Sequence, residues 1–466
     1  MRILLLNPPG ERIYIRDYFC SKTTKSNYLF HPVDLLGLSG TCAELVERLG
    51  GELRVLDCMA ERLSIEEAHA ELERFRPDVI VSLVGSVSWN EDRAFLAEEH
   101  RRGRRILAIG DVLHEDAEER MCEEPWLEAV LHVFSNADVA HYLEGEREAI
   151  EDMSVRDEAG EPERLRRIEP KHRKGDFELP RPRHELFPAS GYHFSFARSE
   201  PFATVLTDYG CPYPCTFCVI GTLGFQTRPV AEVLEEIDAL RANGVHELFF
   251  MDQTFGVVRA RGLELCRELE ERGDLSWTAY TRPDTGDEEL LAAMKAAGCH
   301  TVMMGVESAD DELLAAYEKG YKSSIILDAF RRAKAIGLRT VGTFIIGLPE
   351  ETKSSLEKTL ELAVGMDMDF MSLNMAVPRF GTPFRKQALE LGLASERDLV
   401  MDQGGADAFL PTSTLDRTTM LAMKKRMVRR FYLRPGYLWR RLTSVGSLFE
   451  LKAQLREGWA LLSRNV

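Results

Sequence analysis

Three cysteines fall within eight residues in the run Gly210-Cys211-Pro212-Tyr213-Pro214-Cys215-Thr216-Phe217-Cys218. Their spacing is C-x3-C-x2-C. Structural zinc takes four ligands, usually from paired C-x2-C units. Here no second pair follows, and the nearest upstream histidine is His193. An electron-transfer iron–sulfur cluster also takes four cysteines. Three thiolates on a four-iron cluster leave one iron open, and an open metal position is what a catalytic site needs. The spacing therefore favours a [4Fe–4S] cluster over zinc or structural thiols. The other six cysteines (Cys20, Cys42, Cys58, Cys122, Cys266 and Cys299) are scattered. They read as buried free thiols, and nine in all is too few and too uneven for a disulfide framework.

The triplet must be held by the elements around it. From about residue 200, strand-like runs alternate with helix patterns. The strands are expected near 203–207, 247–251, 276–281, 301–306, 340–346 and 371–376. Helices are expected at 230–242, 259–272, 287–297, 323–336 and 353–364. Six βα units of this period suit a partial (β/α)6 barrel like that of triosephosphate isomerase, whose catalytic groups sit at the carboxyl ends of the strands. The cysteine loop directly follows the first of these strands. Candidate partners end the later ones: Asp252 after the second, Arg282 after the third, Glu307 after the fourth and Glu350 after the fifth. An arginine at such a position can pair with a carboxylate. An acidic residue there serves about as often as a helix cap.

Residues 1–148 alternate in the same way, with strands expected at 2–7, 53–57, 78–84, 105–110 and 129–134 and helices at 33–49, 65–75, 91–102 and 116–123. Strands read as continuous apolar runs when both faces are buried, so a doubly wound, Rossmann-like parallel sheet is expected. It lacks the G-x-G-x-x-G and G-x-x-x-x-G-K-[ST] loops, so a nicotinamide, flavin or P-loop nucleotide has no phosphate cradle. Residues 149–195 are rich in charge and proline and read as a linker. Residues 196–392 hold the barrel, and 393–466 read as a helical basic C-terminal region.

The cysteine run, its place on a six-unit βα barrel and the ordered strand-end residues together resemble the radical S-adenosylmethionine (SAM) superfamily. The resemblance covers about 200–385. It implies that Cys211, Cys215 and Cys218 hold the cluster, whose open iron binds SAM. It also implies that the reduced cluster cleaves SAM to a 5′-deoxyadenosyl radical that abstracts hydrogen from an unactivated carbon. Phe217, Asp252, Arg282, Glu307 and Glu350 are the implied SAM contacts. Thr343 stands where the family's adenine-side G-x-I-x-G-x-x-E element has its first glycine. The first block resembles the cobalamin-binding domain of one large class, through Asn7-Pro8-Pro9, Leu36-Gly37-Leu38 and the Leu179-Pro180-x-Pro182 lead-in. That class has a D-x-H-x-x-G motif after the second strand, whereas this chain has Asp57-Cys58-Met59-Ala60-Glu61-Arg62. A lower-axial histidine ligand is absent, which sets cobalamin binding against an empty Rossmann-like domain. His114 and His31 read as packing residues or as cobalamin contacts. Tyr213 and Tyr280, near the barrel mouth, read as packing residues or as quenchers of a product radical.

The resemblance points first to a cobalamin-dependent C-methyltransferase. The alternative is oxidative cyclisation or rearrangement without methyl transfer, on a lipid or other hydrophobic substrate. Either reading needs an electron donor such as flavodoxin or ferredoxin. The chain has 466 residues, is 44 % hydrophobic and carries a net charge of −17. No apolar run approaches the roughly 18 residues of a membrane span, and the first residues are too brief for a signal segment. A cytoplasmic protein is therefore expected. Its acidic balance argues against nucleic acid as a partner. Residues 417–466 depart from that balance, with twelve Lys or Arg against two Glu. They read as helices packed on the acidic body, or as a peripheral membrane patch of cations and aromatics.

Overall fold

The computed structural model describes residues 1–24, 28–404, 410–444 and 448–465. Its first sheet contains β1 (Arg2–Asn7), β2 (Glu52–Asp57), β3 (Val79–Leu83), β4 (Arg105–Ile109), β5 (Ala129–Leu131), β6 (Asp152–Arg156) and β7 (Pro162–Arg166), in the order β2-β1-β3-β4-β5-β6-β7. The first five strands are parallel. All five residues of β3 are buried, as in a sheet covered on both faces. The helix Val33–Leu49 covers one face and ends at Gly50, whose φ of 64° is left-handed. The helix Ile65–Phe75 starts in a Ser64–Glu67 capping box and buries Ala68, Leu72 and Phe75 at helical spacing.

Part of the expected linker is structured. β6 pairs antiparallel with β5, and β7 with β6. The reason is local: Met153 and Val155 are fully buried, while β7 exposes Glu163 and Arg166 at the sheet edge, a common way to protect an edge strand.

Chain order reverses between β1 and β3, where doubly wound sheets open a ligand crevice at their carboxyl ends. Arg16 crosses that point. Its Nη2 meets Asp92 at 2.7 Å, and its Nη1 donates to Asn7 Oδ1 at 3.0 Å and to the Pro8 carbonyl at 2.9 Å. Both charged side chains are fully buried.

The second sheet is β8 (Phe202–Val205), β9 (Glu247–Phe250), β10 (Ser276–Thr281), β11 (Cys299–Glu307), β12 (Arg339–Ile346) and β13 (Phe370–Met375). All six are parallel and lie in sequence order, with β8 and β13 as the two edges. The result is an open (β/α)6 barrel. Outer helices pack on it around Phe250, Phe255 and Trp277, whose rings lie 5.1–5.6 Å apart.

The C-terminal region is helical over Arg417–Tyr432, Pro435–Thr443 and Leu448–Asn465. The first of these helices buries Met420, Met423, Met427 and Phe431 against the barrel core. The side chains of Leu448, Phe449, Glu457 and residues 460–466, which belong to the expected last amphipathic helix or follow it, lie outside the described residues. Among the described residues no helix is long and apolar enough to cross a membrane.

Candidate active site

Just beyond β8, Asp208–Gly210 pairs antiparallel with Phe225–Thr227, and the three cysteines lie in the loop of this hairpin. Gly210 has φ +80°, and a Cβ there would lie 1.9 Å from the Gly224 carbonyl oxygen. The Cys211 amide donates to that same carbonyl at 3.1 Å. The far side of the loop is held by backbone bonds, Thr216 N–H to the Tyr317 carbonyl and Phe384 N–H to the Thr216 carbonyl.

Cys215 is buried, while Cys211 and Cys218 are partly exposed. Burial pushes the Cys211 thiol above its usual range and the Cys218 thiol up to about 12, with the neighbouring cysteines adding to both shifts. Among the described residues no three His, Cys, Asp or Glu side chains converge on one point, as a single ion requires. Cys211, Cys215 and Cys218 are three free thiols on one loop, and in a cluster each thiolate would take its own iron. Loading it would release the thiol protons.

Cationic groups border the loop. Arg282 Nη1 donates to Cys215 Sγ at 3.7 Å. Its guanidinium lies 3.6 Å from the centre of the Tyr213 ring and is gripped by Asp284 through two 2.9 Å bonds. Burial works against this cation, but Asp284, Tyr321 and Cys215 together more than offset it and the pKa is raised. Lys319 pairs with Glu307 at 2.7 Å with both side chains buried, and its Nζ lies 5.5 Å from the Phe217 ring centre. Burial disfavours this ammonium too, yet Glu307, Tyr321 and Cys215 hold its pKa up. Glu307 has φ +59° at a register shift of β11, a strained conformation of the kind found at ligand sites. At Gly305 a Cβ would come within 2.4 Å of Glu307 Oε1 and 2.9 Å of Lys319 Nζ. A side chain there would push the two charged ends of the pair aside.

The structure thus brings Cys211, Cys215, Cys218, Phe217, Arg282 and Glu307 to one rim. Asp252 is deeply buried beneath them. It accepts from Thr207 N–H and Oγ1, each at 2.6 Å, and from Asp208 N–H at 3.1 Å. Burial raises its pKa. Its place is that of a clamp on the strand leading to the cysteine loop. Glu350 is exposed and accepts from Tyr317 and Gln387 behind that loop. Its neighbour Glu351 is the buried one and accepts from Gly347 N–H at 2.6 Å. His114 contacts the Tyr18 carbonyl and ring, and His31 stacks on Tyr192 at 3.9 Å. Lys319 was not legible as a site residue. It lies in the turn Glu318-Lys319-Gly320, and only the end of β11 reveals its partner.

In the first domain Asp57 caps the short helix Cys58–Glu61, accepting from Met59 N–H, Ala60 N–H, Asn7 Nδ2 and Tyr192 Oη. Arg62, at the glycine position of the motif named above, has φ +55°. The loop keeps the left-handed backbone that glycine favours, but Met59 is buried rather than free to ligate.

An open parallel barrel with three unpaired thiols on its first loop and cations beside them defines a radical SAM-type iron–sulfur site. A profile of the Radical SAM superfamily matches residues 205–363. The "Uncharacterized methyltransferase PH0819" of Pyrococcus horikoshii is 30% identical over 458 residues, which span 94% of each chain. The chain belongs to the radical SAM superfamily, whose enzymes carry a [4Fe–4S] cluster and use SAM. Two solved structures share its fold. One is the methyltransferase TsrM of Kitasatospora setae with cobalamin and a [4Fe–4S] cluster bound. It has TM-score 0.68 and 18% identity, with 99% of each chain covered. The other is the cobalamin-dependent radical enzyme OxsB with aqua-cobalamin and SAM bound. It has TM-score 0.69 and 16% identity, with 99% of this chain and 71% of that one covered.

Proposed function

We propose that this radical SAM enzyme is a cobalamin-dependent methyltransferase acting on an unactivated carbon. The observation that carries the reading is the seam between the two sheets. Tyr209, two residues before Cys211, packs on Phe134, just past β5, at 5.4 Å and on Phe19 at 5.9 Å. The carboxyl ends of the first sheet therefore face the cysteine loop, and a flat cofactor bound at those ends would meet the cluster side of the barrel. Its relative named as a methyltransferase over nearly the whole chain, and the cobalamin in both similar folds, support the same reading. Asp34 Oδ2 and Ser135 Oγ are buried without hydrogen-bond partners near this rim, so polar groups remain for a ligand to satisfy.

Bound cobalamin would supply the methyl group. The chain's own part is to seat it, to hold SAM between Arg282, Lys319 and Glu307, and to exclude water. The 57–62 segment carries no histidine, so cobalamin would be held by the rest of the rim, Asp34 and Ser135 among its polar groups. The buried Met59 is also the observation that favours the second reading, cyclisation or rearrangement without methyl transfer. We place the enzyme in the cytoplasm with a small flavodoxin or ferredoxin as electron donor. We also divide it near residues 166, 195 and 392, the first boundary moved from 148 to lie past β6 and β7, which pair into the first sheet. The test is transfer of label from methyl-labelled SAM, under reducing anaerobic conditions, to candidate substrates. Labelled product supports the reading. Product formed with deoxyadenosine but without label overturns methyl transfer in favour of cyclisation or rearrangement.

A further inference from the structure

The C-terminal helices present a surface that the chemistry above does not use. A shallow groove of about 580 Å³ is lined by Lys425, Arg426, Arg429, Arg430, Leu433 and Arg434. It runs along the outer side of the helix Arg417–Tyr432 to the start of Pro435–Thr443. Arg426 is paired with Glu357. Beyond the groove, Leu438, Trp439 and Leu442 stand out on one side of the next helix, with Trp439 69 % exposed. The last helix adds Leu455 and Trp459, one turn apart, with Trp459 77 % exposed.

We propose that this face docks the enzyme on an anionic lipid surface. Clustered cations meet headgroup charge, tryptophans settle at the interface, and leucines reach below it. Charge complementarity selects this occupant. Residues 417–466 carry +10 in a chain of net −17, so two copies of the face repel each other. Single-stranded nucleic acid would stack on Trp439 and Trp459 but leave Leu438, Leu442 and Leu455 in water, whereas a lipid surface buries all five. Met420, Met423, Met427 and Phe431 fix the first helix to the barrel core, so a docked enzyme has one orientation. The proposal does not rest on the reaction proposed above.

The test is co-sedimentation of the full-length, cluster-loaded protein with vesicles of phosphatidylcholine alone or mixed with phosphatidylglycerol, alongside a tRNA-binding control. The proposal expects binding to the mixed vesicles only, weakening as salt rises. Each lost cation should cost about fivefold in partitioning. Lys425→Gln/Arg430→Gln should then lower binding by at least about 25-fold, with helical content unchanged. Trp439→Ser, at a surface position, should weaken binding further at high salt. Absent or equal binding to both vesicle types overturns the proposal. So does unchanged binding by the Gln variant, or retention of tRNA in place of vesicles.

Discussion

Removal of the Lys319 ammonium leaves Glu307 as a buried carboxylate without its closest cation. Breaking such a pair from one side costs about 3–5 kcal/mol. Lys319→Met should lose about that much stability in denaturant unfolding, and adding Glu307→Gln should recover most of it. Neither variant should cleave SAM at the parent rate. A stable single variant would show that the pair carries no strain-holding role. Glu351 behaves differently. Burial raises its pKa to about 8, against an ordinary 4.5, while the Gly347 and Leu348 amides oppose the shift. The folded protein therefore holds a proton that the unfolded chain releases. The stability this group contributes is full below about pH 4.5 and is lost as pH rises through about 8. Glu351→Gln should flatten the fall in melting temperature between pH 5 and pH 9, and an unchanged slope would contradict the assignment. The cysteines were legible because their geometry is local. Glu350 and Glu351 were not separable, because loop register alone decides which of two adjacent glutamates turns inward. Asp252 was legible as a strand-end acid, but a sequence does not distinguish a ligand contact from a clamp on the neighbouring loop.

The hairpin that carries the cluster loop depends on one close approach. Gly210→Ala would set a methyl carbon against the Gly224 carbonyl at a left-handed φ. The variant should fold its two sheets yet hold well under half the parent's iron after reconstitution, read by iron analysis and circular dichroism. Full iron content would contradict the argument. Several helices were readable to the residue, among them Val33–Leu49, Ile65–Phe75, Val230–Ala242 and Arg259–Arg272. An apolar stripe marks each, and Gly50 and Gly273 stop two of them with positive φ. The β6–β7 hairpin was not readable, since Glu163, Arg164 and Arg166 on β7 give an edge strand the charge of a loop. The barrel strands were legible in number and order because each is a short apolar run between helices. That the barrel stays open, with β8 and β13 as edges, is a property of the whole sheet.

At the scale of the molecule, the two sheets are tied by Arg379, which follows the last barrel strand. Its Nη1 donates to Asp111 at 2.9 Å and its Nη2 to the Ser21 carbonyl at 3.0 Å, all in the buried seam. Arg379→Met leaves Asp111 with only the Ser21 and Ser86 donors. About 3–5 kcal/mol of coupling should be lost, seen as an earlier, separate transition in calorimetry. A single unshifted transition would show that the apolar seam alone holds the sheets together. The seam is also where the central claim is decided. Anaerobic reconstitution with iron, sulfide and hydroxocobalamin, followed by desalting and analysis for iron and cobalt, tests it most directly. The account predicts about four irons and about one cobalt per chain, with Cys215→Ala losing the iron. Four irons without cobalt would contradict the cobalamin-dependent reading, and no iron would contradict the site itself.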